Sequence, residues 1–416
     1  MQKGATKSTR RKTVFFLCFL ILHFFTVLLL DKGIQVRAED ISGSSRQKAE
    51  GAVQEELRLY AKAALLMDAS NNRVLYEKNG YEVLPMASTT KIMTAVIALE
   101  YGNLEDQVTV SARAASMPKV HLGMREGETY KLKDLLFSLM LESHNDSAVA
   151  IAEHIGGSVE GFADLMNQKA RDLGCTDTYF ITPNGLDAAQ GEKTHSTTAY
   201  DLAKIASYAI QNDLFVALVG TKSHSFAELQ SGRRFQVNNK DQFLNMMDGA
   251  IGIKTGFTNQ AGYCFVGAVQ KEDRTLVSVV LASGWPPHKT YKWADTKALM
   301  QMGVEDYSSR RVEKEEIPEW IAVENGVEDR VALTMEWQEI NMLLADWDQV
   351  DVSIDLKEKL EAPVEEGEIA GYEKVTVNGE TYSLIPIETA GSMEEYTYQY
   401  CLTRLVNLFL YGAQEK

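Results

Sequence analysis

Cysteine is scarce in this chain. Four occur in 416 residues, Cys18, Cys175, Cys264 and Cys401, with no paired spacing among them. Neither a disulfide framework nor a zinc ribbon fits that pattern. Histidine is equally sparse: no two of the seven lie within one helical turn of each other, and His-Glu-x-x-His is missing. That excludes the zinc-peptidase helix, and no metal or other cofactor is expected. Positive charge is in deficit, with 42 Lys and Arg against 58 Asp and Glu for a net charge of −16. An acidic surface repels phosphate, so nucleic acid is not an expected partner. A phosphate-binding loop is absent too. "GAIGIKTG" resembles one superficially, but Ile253 precedes Lys254 where such a loop needs glycine.

What remains is globular composition, 45% hydrophobic and 24% charged, with room for more than one core. The N-terminus is the exception. Lys3, Lys7, Arg10, Arg11 and Lys12 precede the apolar run Val14–Leu30, and small or apolar residues follow at Val36 and Ala38. This is the layout of a secretory signal spanning 1–38, cut after Ala38. An uncleaved anchor is the rival, but the run falls short of the roughly 20 residues of a full span and contains His23. Cys18 follows Phe16 and Leu17 instead of small residues, which argues against a lipid anchor there. The mature chain is therefore expected outside the cytoplasmic membrane. Residues 39–56 are polar and rich in Ser and Gly, as in a linker.

The next region, 57–305, opens with two β-rich runs joined by "DASNN", a hairpin. Ser88 to about Ile210 is mostly helical; Leu135, Leu136, Leu139 and Met140 recur on one face. Thr198 and Asp201 have the spacing of a capping box. Near residue 250 the pattern turns to strands: "IGIKTGFT", "AGYCFVGAVQ" and "TLVSVVLASG". Strands at both ends with helices between predict an α+β fold in which the first hairpin and the late strands share one antiparallel sheet. After the charged break "EKEEIPE", residues 313–390 read as a small all-β domain with an Asn378-Gly379 turn. Residues 392–412 read as an amphipathic helix with Leu402, Leu405, Val406, Phe409 and Leu410 on one stripe.

Ser-x-x-Lys occurs three times, at Ser45/Lys48, Ser88/Lys91 and Ser116/Lys119. The first lies in the linker, and Pro118 opposes a helix at the third. Only Ser88 opens a helical stretch, striped by Ile92, Val96 and Leu99, and positions i and i+3 share a helix face. A lysine buried near a second cation can lose its proton and serve as a base. The plainer alternative is that Ser88 caps the helix and Lys91 is a solvated charge. Two further motifs tip the balance. Ser143-His144-Asn145 follows the apolar helix, whereas a second Ser-x-Asn at Ser70 falls in the hairpin turn. Lys254-Thr255-Gly256 lies in the first late strand, and Gly256 would let a ligand approach the backbone. Ser-x-x-Lys, Ser-x-Asn and Lys-Thr-Gly in that order form the motif set of penicillin-binding proteins and class A β-lactamases.

With these motifs in place, the chain resembles the serine-type D-alanyl-D-alanine carboxypeptidases, the low-molecular-mass penicillin-binding proteins. The likeness runs from about Tyr60 to Gly412 and includes "AALLMDASNNRVLYEKN", "ASTTKIMTA", "NGLD", "HSTTAYDLAKIA" and "GIKTGFTNQAGYCFVG". It implies a β-lactamase/transpeptidase-like domain, then a β domain and a helix that associates with the membrane surface. Ser88 would be the acylated nucleophile, Lys91 its base and Ser143 a proton relay. Asn145 would contact the substrate backbone, with Lys254, Thr255 and Gly256 lining the place of its terminal carboxylate. The backbone N–H groups of Ser88 and Phe257 would form the oxyanion hole. Some relatives carry histidine where Phe257 stands; His144 is expected to be a variable position. The implied substrate is a peptidoglycan stem peptide ending in D-Ala-D-Ala, with β-lactams as covalent inhibitors. A β-lactamase and a non-catalytic β-lactam or wall-peptide sensor stay open as alternatives. The Glu-x-x-Leu-Asn segment usual in class A β-lactamases is not evident after Ser143.

Overall fold

A computed structural model describes residues 57–272 and 274–412. The signal segment 1–38 with Cys18, the linker 39–56 and the Ser45/Lys48 pair lie outside the described residues. The chain starts with the hairpin β1 (Ala63–Asp68) and β2 (Arg73–Lys78). Its turn is built by Asp68, whose Oδ1 accepts from Ser70 N at 3.0 Å and Ser70 Oγ at 2.7 Å. Ser70 thus serves the turn, as its position in the sequence suggests. A 3₁₀ turn, Ala87–Thr90, leads into the helix Lys91–Tyr101. Helices Leu132–Leu141, Asn145–Gly156, Val159–Asp172, Ala199–Ala209 and Asp213–Gly220 follow.

Three small hairpins interrupt this helical stretch: β3 (Gln107–Thr109) with β4 (Thr129–Lys131), β5 (Ala189–Gln190) with β6 (Lys193–Thr194), and β7 (Ser223–Ala227) with β8 (Arg234–Asn238). The late strands are β9 (Ala250–Thr258), β10 (Gly262–Lys271) and β11 (Arg274–Leu281), and the helix Tyr291–Glu305 comes after them. One antiparallel sheet runs β2-β1-β11-β10-β9, which joins the two ends of the region as the sequence pattern predicts.

Both faces of this sheet are covered. Along β1, Ala63, Leu65 and Met67 join the core shared with the long helical stretch, while Ala64 and Leu66 face a second core with Leu299 and Met300. Period-2 alternation with apolar residues on both sides is what a central strand between two layers requires. The helix Leu132–Leu141 buries Leu135, Leu136, Leu139 and Met140, and also Leu132, Ser138 and Leu141. It is apolar nearly all round because it is the interior helix of its layer. Thr198 caps the helix Ala199–Ala209 by accepting from Asp201 N at 3.0 Å. The Asp201 carboxylate does not close the box; it accepts from Asp177 N and Thr178 Oγ1 instead, tying in the loop before the helix.

Beyond the Tyr291–Glu305 helix the chain is all β until its last helix. β12 (Tyr307–Val312), β13 (Trp320–Glu324), β14 (Arg330–Thr334), β15 (Ile340–Ala345), β16 (Val350–Leu356), β17 (Leu360–Glu361), β18 (Ile369–Val377) and β19 (Glu380–Thr389) form a β12-β15 pair and a sheet ordered β16-β18-β19-β14-β13-β17. This part is tied to the first hairpin: Tyr307 Oη donates to Leu75 O at 2.6 Å, and Arg73 pairs with the buried Asp348 at 2.6 Å. The final helix, Tyr398–Tyr411, is capped by Thr397. Among the described residues its apolar stripe is left exposed: Leu402, Leu405, Val406, Phe409 and Leu410 all face outward, Phe409 to 90%.

Candidate active site

Ser88 sits in the 3₁₀ turn, where two threonines hold the backbone tight. Thr89 Oγ1 donates to Met86 O at 2.6 Å and Thr90 Oγ1 to Ala87 O at 2.8 Å. Ala87 adopts φ +49, a strained value for a residue with a Cβ. Ser88 itself caps nothing, since the helix N-cap is Thr90 and forms no side-chain cap bond. The capping alternative therefore does not describe this serine. His195 braces the turn from behind. Its Nδ1 accepts from Ile181 N at 2.9 Å, so its Nε2 carries the proton and donates to Thr90 Oγ1 at 2.8 Å. Burial pushes this imidazole down to about 4 and keeps it neutral.

Lys91 is fully buried on the first turn of the helix. Its Nζ lies 2.9 Å from Ser88 Oγ, 3.0 Å from Asn145 Oδ1 and 2.5 Å from Asn184 O. Burial holds the amine well below its ordinary range; the Lys254 charge lowers it further, and Asp146 opposes weakly. A neutral amine has two hydrogens and one lone pair. Asn145 Oδ1 and Asn184 O can only accept, so they take the hydrogens and leave the lone pair for the Ser88 hydroxyl.

Asn145 starts the helix Asn145–Gly156 and is fixed at both ends of its amide, with Nδ2 donating to Pro118 O at 3.1 Å. Asp146 beside it accepts from Leu122 N and Gly123 N at 3.0 and 2.9 Å, securing the loop at the rim. Ser143 adopts φ +67, and its Oγ is buried without a hydrogen-bond partner among the described residues. It makes no direct bond to Ser88 or Lys91. His144, expected to be a variable position, is a buried one in the structure. It is 5% exposed, its Nδ1 pairs with Ser138 Oγ at 2.8 Å, and its Nε2 lies 3.4 Å from Glu142. A short loop between two buried helices leaves no room for its imidazole to face solvent.

β9 is the edge strand on the Ser88 side of the sheet. A Cβ on Gly256 would lie 3.0 Å from Ser88 N and 3.2 Å from Met86 O. The missing side chain of Gly256 thus admits the nucleophile's own turn against the strand. Lys254 is buried and donates to Thr255 O at 3.1 Å. Burial pushes its amine down to about 7 against the pull of Asp241. Thr255 is half-buried; Phe257, 38% exposed, leans on Tyr263 with ring centres 4.6 Å apart. The third Ser-x-x-Lys pair borders the site without joining it: Ser116 and Lys119 are exposed, and Ser116 Oγ donates to Arg113 O.

Sequence reasoning gave no role to Pro183, Asn184 or Gly185, although Asn184-Gly185 opens the "NGLD" likeness. Asn184 offers Lys91 a main-chain carbonyl, and Thr94 Oγ1 donates to Pro183 O at 2.6 Å. Gly185 has φ +81, and a Cβ there would lie 2.5 Å from the Ala87 carbonyl carbon and closer still to its oxygen. The Pro-Asn-Gly run was a turn signal, but nothing in it points to a base. Among the described residues no group of three His, Cys, Asp or Glu side chains could hold a metal ion.

Comparison with known proteins gives the family. The family model described as D-alanyl-D-alanine carboxypeptidase matches residues 49–284. The chain is 29% identical over 361 residues to the D-alanyl-D-alanine carboxypeptidase DacF of Bacillus subtilis, covering 85% of this chain and 90% of that protein. It is also 29% identical over 360 residues to DacD of Salmonella typhimurium, covering 80% and 86%. In fold it is similar to penicillin-binding protein 5 from Haemophilus influenzae, with a TM-score of 0.67 at 24% identity over 83% of this chain and 100% of that one. The carboxypeptidase DacD from Francisella tularensis gives 0.64 at 23% identity, covering 86% and 98%. The chain belongs to the D-alanyl-D-alanine carboxypeptidase family.

Proposed function

We propose that this protein removes the terminal D-alanine from peptidoglycan stem peptides through a Ser88 acyl-enzyme. The observation that carries the reading is the Lys91 amine, fully buried, pushed by that burial toward its neutral form and 2.9 Å from Ser88 Oγ. The lone pair of Lys91 takes the hydroxyl proton as Oγ attacks the carbonyl between the last two D-alanines. Backbone N–H groups of Ser88 and Phe257 receive the developing oxyanion. The C–N bond then breaks, and Ser143 passes the proton to the departing D-alanine amine. Water cleaves the ester with Lys91 again as base, releasing the shortened peptide. Asn145 orients the substrate backbone. Lys254 and Thr255 hold its terminal carboxylate, and Gly256 keeps the strand close.

β-Lactams enter the same sequence and acylate Ser88. No carboxylate hydrogen-bonds to Ser88, Lys91 or Asn145 among the described residues. That supports a slowly hydrolysed penicilloyl-enzyme over a β-lactamase. The exposed stripe of the Tyr398–Tyr411 helix supports attachment to the outer face of the cytoplasmic membrane, with the stripe in the interface and the β region as spacer. Among the described residues no single helix is long and apolar enough to cross a membrane.

The test is D-alanine release from a peptide ending in D-Ala-D-Ala, its C-terminal amide, and nitrocefin turnover. The reading expects cleavage of the acid, loss of cleavage with the amide, and one slow turnover of nitrocefin. Rapid nitrocefin hydrolysis without peptide cleavage would make the protein a β-lactamase. An adduct without peptide turnover would make it a sensor.

A further inference from the structure

Behind Lys254 lies an acid that neither the motifs nor the mechanism uses. Asp241 is 8% exposed. One of its oxygens, Oδ1, accepts from Phe243 N at 2.9 Å. Its backbone N donates to Asn239 Oδ1 at 2.9 Å, and Asn239 is itself anchored to Val219 O and Thr221 O. The side chain is thus fixed in place. Its second oxygen, Oδ2, is buried and has no hydrogen-bond partner among the described residues.

Where that oxygen points is informative. A Cβ built on Gly252 would come within 3.4 Å of Asp241 Oδ2. Gly252, Lys254 and Gly256 alternate along β9 and share one face of the strand. Ser88 lies against that face at Gly256, and Asp241 lies against it at Gly252. Lys254 stands between them, buried and in no ion pair of its own among the described residues.

We propose that Asp241 is a positioning residue for the reaction: its unpartnered oxygen holds Lys254 as a cation across the gap at Gly252, and so sets the affinity for a peptide that ends in a free carboxylate. The proposal rests on the reading of Lys254 as the carboxylate-binding group. An isolated buried carboxylate and an isolated buried ammonium would each shed its charge, but together each stabilises the other. The directions agree. Burial raises Asp241 to about 6, while the hydrogen bond from Phe243 N and, after it, Lys254 and Lys292 hold it down. Burial lowers Lys254 to about 7 while Asp241 supports its charge and Lys292 opposes it. Lys292, from the Tyr291–Glu305 helix, spends its own charge over the rings of Tyr263 and Trp293. Lys254 is thus charged below about 7 and loses its proton above.

The test follows the Lys254 side chain by NMR of lysine labelled at Cε, its signal assigned with Lys254→Arg, in the wild type and in Asp241→Asn. Asparagine keeps the acceptor for Phe243 N and replaces the unpartnered, charged oxygen with a neutral amide nitrogen. The expected result is a Lys254 midpoint about one pH unit lower, hence about tenfold higher KM for an acid-ended peptide at pH 8 with kcat little changed. In a Lys254→Arg background, where the cation does not titrate, Asp241→Asn should leave the KM–pH profile unmoved. Asp241→Ser, with the same small acceptor, replaces the asparagine variant if the latter does not fold. An unchanged Lys254 midpoint overturns the proposal, as does an equal KM shift in the arginine background. If the midpoint moves but acid and amide peptides are cleaved alike, the coupling stands and the carboxylate-binding role of Lys254 fails.

Discussion

Gly185→Ala tests whether the Pro183–Gly185 segment positions the nucleophile. Two costs arise. The residue has φ +81, so any Cβ is strained there by about 1 kcal/mol. The Cβ would also sit 2.5 Å from the Ala87 carbonyl carbon and 2.8 Å from Thr90 Oγ1. That is about 1 Å inside ordinary contact. The clash is with backbone, which no rotamer relieves, so overpacking adds roughly 1–3 kcal/mol. The chain has one way out: the Ala87–Ser88 turn and the Asn184 carbonyl must separate by that ångström. Asn184 O is a hydrogen-bond acceptor for Lys91, so the separation also misaligns base and nucleophile. A displacement of this size costs on the order of 10²-fold in rate. Gly191→Ala is the control. It also has positive φ, +61, but a Cβ there meets nothing within 4 Å, so it carries the strain without the clash. The assay is the second-order rate of acylation by a fluorescent penicillin, with the melting temperature measured alongside. Gly185→Ala should acylate about 10²-fold slower while Gly191→Ala matches wild type. Equal acylation rates in both variants would refute the positioning role.

His195 gives a pH prediction. Its folded value of about 4 lies below the ordinary histidine value of 6.5, so the unfolded chain takes up the proton first. Stability should therefore be full above pH 6.5 and fall as pH drops toward 4, by about 3 kcal/mol in all. His195→Gln should flatten the melting temperature between pH 7 and pH 4; equal slopes in both proteins would contradict this. A chain truncated after Ala390 should leave the membrane fraction and keep its peptidase activity. High salt should not release the full-length protein, because apolar burial is not screened. Retention of the truncated protein would put the anchor elsewhere, and its unfolding would make the helix part of the core.

The sheet was legible because its strands are apolar runs at the two ends of one region, and such runs need a shared layer. Its order was not. That β1 lies between β2 and β11 follows from packing both of its faces, which only the folded chain reveals. The motif residues Ser88, Lys91 and Asn145 could be chosen by type and spacing, and they meet within hydrogen-bonding distance. The groups around them could not. Asn184 acts through a carbonyl that every residue possesses, so no side chain announces it. His195 acts from a position remote in sequence and Asp146 from beside the motif, and the effect of both is to hold backbone in place. His144 looked incidental because a three-residue motif says nothing about the helices on either side. The stripe of the last helix was visible in the sequence, but its periodicity is the same whether it faces a core or a membrane. Only its exposure separates it from the β core.

The account stands on Ser88 as the residue that is acylated. Wild-type protein treated with benzylpenicillin, quenched and digested, should carry one penicilloyl adduct on the peptide containing Ser88, as read by mass spectrometry. Ser88→Ala should carry none, while Ser116→Ala and Ser45→Ala label fully. An adduct on any other serine, or labelling that survives Ser88→Ala, would contradict it.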